Sequence, residues 1–322
     1  MRTRSIIGLA LALSLLLTAC SGGEAEDTRG RVSLLARAAE LDEEELLLTA
    51  NGREIPAWRY LYWLDWVCRQ LQSRNDRAEV ALDWQATLPG GTLADYARDQ
   101  ALADTVLYAT VEHLAERYGV DPADAPEVPA DLPEAGLAPE QMAELERVGR
   151  LYAALYDLAS TPGSPLAPSE EALLRFGEEQ NWLTVERLLF PFGKDRETAR
   201  RQAEEAFARI NGAEDQGTVF AALAGEDGRV TLRAGEGTLS AELESAALSL
   251  EAGQCSGVLE TAEGFALLRR LETDAETLRE AWFDDLLRRE AEGAAVEVTD
   301  TYRELDIPAF HRRLLELQEE GV

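Results

Sequence analysis

The chain has 322 residues, 61 of them Asp or Glu and 31 Lys or Arg, for a net charge of −30. Such a surface repels phosphate backbones and anionic headgroups, which excludes nucleic acid as a partner. Apolar residues make up 46% of the sequence, enough for a globular fold and, at this length, for more than one core.

In chain order, "MRTR" is basic and "SIIGLALALSLLLT" is apolar. That apolar run is shorter than the roughly 20 residues of a spanning helix, and residues 1–19 read as a signal peptide. Its end, Leu17-Thr18-Ala19-Cys20, resembles the lipobox of bacterial lipoproteins. The resemblance implies cleavage before Cys20, acyl chains on its sulfur, and an extracytoplasmic protein anchored to the cell membrane by lipid. Residues 20–45 then form a tether. Cys68 and Cys255 sit among apolar neighbours and read as buried free thiols.

Residues 46–168 read as a mainly helical region. A short strand turns at Asn51-Gly52 and a helix starts near Pro56. Trp58, Tyr62 and Trp66 recur every four residues there, predicting a core-facing aromatic stripe, with a client-binding groove as the alternative. Further helices are expected over 93–120 and 139–160, with five prolines across 121–139 between them. His113, one of the two histidines of the chain, has no Cys, Asp or second His at ligand spacing and reads as structural. "TPGSPLAPS" is a linker, and Ser169 caps a connecting helix over 169–181.

The pattern then changes. A strand over 183–190, helices over 195–212 and near 217–225, a Gly-punctuated strand, a helix from Ser240, and two strands joined at Ala262–Gly264 follow one another. Leu250, Gly253, Ser256, Thr261, Gly264 and Phe265 fall in "LESAALSLEAGQCSGVLETAEGFALLRRLE". With "TVERLLFPF" and the element order, residues 182–273 resemble the parvulin-type prolyl isomerases. The flanks, including "TANGREIPAWRYLYWL", resemble PrsA-like and SurA-like extracytoplasmic foldases. This implies an α+β chain: a helical chaperone module from the N- and C-terminal segments, with a four-stranded antiparallel parvulin domain inserted. Residues 274–322 would fold back onto the N-terminal helices.

Prolyl isomerisation needs no metal, cofactor or nucleophile. Its barrier is amide resonance, about 18–20 kcal/mol. Parvulins resemble one another in placing two histidines, an Asp or Cys and a Ser or Thr beneath an apolar cradle. Here the resemblance puts Arg187 and Ala266 at the two histidine positions, keeps Thr261, and sets Asp227 near the Asp/Cys position. Leu239, Leu243, Phe265 and Leu189 would contact substrate. Arg187 can donate to a client carbonyl, or can lie on the sheet and pair with a carboxylate. The expectation is a lipid-anchored chaperone that binds unfolded, proline-containing secreted proteins, with isomerase activity weak or lost. The alternatives are an active isomerase with a variant site, and a solute-binding or adhesion lipoprotein.

Overall fold

In the computed structural model, which describes residues 33–124, 137–193, 195–225 and 228–320, the chain leaves one folded unit, builds a second, and returns. The division falls after Ala167 and after Trp282. Among the described residues no helix is long and apolar enough to cross a membrane. The signal segment, Cys20, Asp227 and most of the proline-rich stretch lie outside the described residues.

The outer unit starts with α1 (Leu34–Ala39) and a hairpin of β1 (Leu46–Ala50) and β2 (Arg53–Pro56). Its two-residue turn puts Asn51 at φ 51° and Gly52 at φ 79°, the left-handed pair that matches strand twist. α2 (Ala57–Arg77) follows directly, then a two-residue ladder of β3 (Thr87–Leu88) and β4 (Gly91–Thr92), α3 (Leu93–Tyr118) and α4 (Pro139–Ser160). Trp58 and Tyr62 are buried as the stripe predicts, but Trp66 is 37% exposed. Each step of four residues advances about 400°, about 40° past a full turn, so the stripe drifts around the helix and its third member reaches the surface.

The C-terminal segment completes this unit. It contains the end of α9 (Arg279–Glu292), β9 (Val296–Val298), α10 (Asp300–Glu304) and α11 (Ile307–Glu319). β9 pairs antiparallel with β1. The Asn51 amide N–H donates to the Ala295 carbonyl at 2.8 Å, and the Ala295 N–H to the Asn51 side chain at 3.0 Å. The hairpin turn is therefore also the clamp for the returning chain. α11 lies against α1. His311 is buried edge-on against Trp84, ring centroids 5.3 Å apart, and burial pulls its pKa below the ordinary imidazole value.

A buried charge network links the helices. Glu112 on α3 accepts from Arg59 on α2 at 2.6 Å and also meets Arg147 on α4 and Arg53 on β2. The side chains of Arg59 and Glu112 are 2% and 1% exposed, so neither charge has water as a substitute partner.

The inner unit opens with α5 (Glu170–Glu179), capped by the Ser169 hydroxyl, which accepts from the Ala172 N–H. It continues through β5 (Trp182–Pro191), α6 (Arg196–Asn211), α7 (Gln216–Ala224), β6 (Arg229–Arg233), α8 (Ala241–Ser249), β7 (Leu259–Glu260) and β8 (Gly264–Leu271). The sheet is antiparallel in the order β6-β5-β8-β7, the four-stranded α+β arrangement expected from the sequence. β7 is shorter than expected. The Ser256 hydroxyl takes the Leu268 N–H at 2.9 Å, so a side chain fills a place that a strand backbone would occupy.

Candidate substrate-binding face of the inserted domain

Strand alternation divides β5 between two faces. Leu183, Val185, Arg187 and Leu189 point one way; Thr184, Glu186, Leu188 and Phe190 point the other. Register fixes which neighbours join them. Arg187 lies opposite Leu268 and Leu189 opposite Ala266 on β8, and Ala266 lies opposite Leu259 on β7. Directly paired residues share a face, so Arg187, Leu189, Ala266 and Leu259 stand together.

Helix α8 and the segment before it cover part of this face. Leu239 and Leu243 pack with Leu183, Val185, Leu232 and Leu268. Both are core residues, 5% and 3% exposed, rather than open cradle walls. The open part is Arg187, Leu189 and Leu259, all half-buried, around Ala266 at 0% exposure. Leu259 was not anticipated as part of it. The tight turn at Ala262–Gly264 was the usable signal, because it sets the register that places Leu259 beside Ala266.

Phe265 is a correction. It is the strand neighbour of Ala266 and points to the opposite face, 2% exposed, against Ala199 and Ala203 of α6. Phe192 meets its ring edge-on at 5.4 Å, and the Arg200 guanidinium lies over it at 5.2 Å. It is a core residue of the helix-covered side.

Thr261 is committed to the turn. Its hydroxyl donates to the Gly264 carbonyl at 3.0 Å and accepts from the Glu263 and Gly264 N–H groups, both at 3.2 Å. A hydroxyl with these three partners has no proton left to offer a substrate. Asp227 lies outside the described residues, so Arg187 and Ala266 are the candidate catalytic positions that the fold brings to one face.

The charges on the two faces are settled differently. On the helix-covered side Arg269 bonds Glu186 and the Gly217 carbonyl, each at 3.0 Å. On the open side Arg270 donates to the carbonyls of Ala247 and Leu250 at 3.2 and 3.4 Å, closing the C-terminal end of α8. Arg187 has no such engagement: among the described residues no ion pair or hydrogen bond holds its guanidinium.

Residues 187–272 match the family model of the PPIC-type PPIase, or rotamase, domain. The inserted domain is accordingly a parvulin-type prolyl isomerase domain by fold and family. No curated protein matches the chain. Among solved structures, PrsA from Bacillus subtilis aligns at 10% identity over 87% of this chain and 94% of its own, with a TM-score of 0.23. The foldase PrsA from Lactococcus lactis aligns at 13% identity over 85% and 93%, with a TM-score of 0.26. SurA-like chaperones of Campylobacter jejuni give 11% identity over 79% and 99%, with a TM-score of 0.18. With TM-scores below 0.5, none of these three likenesses bears on function.

Proposed function

We propose that the chain is an extracytoplasmic foldase, tethered to the cell membrane through acyl chains on Cys20, that binds unfolded, proline-containing secreted proteins. In this reading its parvulin domain serves as a binding module with weak or absent isomerase activity. One observation supports it most: Arg187 and Ala266, where parvulins carry histidines, share a sheet face and Thr261 is occupied by its own turn. A methyl group offers no hydrogen bond to a twisting amide. Losing one preorganised donor typically removes about 2.7–4 kcal/mol of transition-state stabilisation.

The test is a refolding assay on a secreted protein whose recovery is limited by a proline step. The full chain is expected to lower aggregation in proportion to its concentration while leaving the slow refolding rate unchanged. Unchanged aggregation would contradict the chaperone reading.

A further inference from the structure

We infer that Arg187 makes the open face of the parvulin domain selective for an acidic residue beside the client proline; this rests on the proposed binding role of that face. Three features converge. The guanidinium stands on the same face as the half-buried Leu189 and Leu259, so a peptide lying on those apolar side chains passes it. Its neighbour Arg270 is occupied with the carbonyls at the end of α8, whereas Arg187 has no ion pair among the described residues. Finally, Arg187 is half-buried, which weakens solvent competition for its five donors, whose planar fork fits a carboxylate in a bidentate way.

The occupant follows from that chemistry. The apolar ground of Leu189 and Leu259 suits a proline ring, and the flanking guanidinium suits Asp or Glu next to it. The chain as a whole is at −30 and repels acidic peptides at long range, so the preference is local. At about 0.15 M salt the screening length is about 8 Å, which damps the distant repulsion and leaves the contact.

The experiment titrates the ¹⁵N-labelled full chain with Ala-Glu-Pro-Phe, Ala-Ala-Pro-Phe and Ala-Lys-Pro-Phe at that salt, following the amides of Leu189, Leu259 and Ala266. The acidic peptide is expected to bind about two- to five-fold more tightly than the neutral one, the range for a partly exposed ion pair, and the lysine peptide more weakly. Arg187→Gln should level the series and Arg187→Glu should invert it, both with unchanged spectra elsewhere. Equal binding of the three peptides to the unaltered chain overturns the selectivity alone. Absence of shifts at this face with every peptide overturns the binding role itself. If Arg187→Glu does not fold, Arg187→Gln decides: a retained preference for the acidic peptide contradicts the inference.

Discussion

Gly264 shows what a family motif can encode. A Cβ there would lie 2.2 Å from the Phe190 carbonyl oxygen, inside the β5–β8 ladder, so only glycine fits. Gly264→Ala is expected to destabilise the inner unit by several kcal/mol in urea unfolding of the full chain. Gly257→Ala, where a Cβ meets nothing within 4 Å, should be silent. Thr261→Val should lower stability by about 1–3 kcal/mol through the unpaired turn groups; unchanged stability with a changed isomerisation rate would reassign Thr261 to catalysis. Asp104 offers a pH signature. Burial raises its pKa from 3.8 to about 6, so the unfolded chain ionises it first as pH rises. The folded state is then penalised progressively between those two values and fully above the higher one. Asp104→Asn should therefore raise the melting temperature most near pH 7, and the gain should vanish below about pH 3.8, the unfolded value. A gain independent of pH would contradict this.

At the scale of elements, β5, α6, α8 and β8 were legible because their apolar periods differ and their caps are explicit, as with Asp195 before α6, whose side chain accepts from the Glu197 N–H. Three features were less legible. β7 is short because Ser256 bonds β8 through its side chain, which no alternation reveals. Phe265 and Ala266 are adjacent in the sequence, and adjacency on a strand means opposite faces; the motif names both without saying which one faces the cleft. The network at Glu112 was missed, because Arg53, Arg59 and Arg147 come from three different elements and nothing local marks Glu112 as buried. Glu112→Gln leaves the buried Arg59 with only the 3.3 Å contact to the more exposed Glu144 and should cost up to about 3–5 kcal/mol. Glu116→Gln, at 68% side-chain exposure, should cost under about 1 kcal/mol in the same unfolding experiment. Similar losses from both would show that the network does not bind the helices together.

For the whole molecule, the motif residues that identify the inner unit are architectural. Gly253 turns with φ 88° and donates to the Arg270 carbonyl at 2.7 Å, Ser256 and Thr261 hold β8 and its turn, and Gly264 admits β5. The sequence could announce the parvulin fold clearly because these residues build it. Attachment is a separate question: if Cys20 is acylated, Cys20→Ser should move the protein from the membrane fraction to the soluble one, and an unchanged distribution would contradict the lipid anchor. The most direct measurement on the central claim is a protease-coupled isomerisation assay of the full chain on an Ala-Pro-Phe peptide. A cis-to-trans rate within a few-fold of the uncatalysed one is expected. Turnover near that of a parvulin with both histidines would contradict the account.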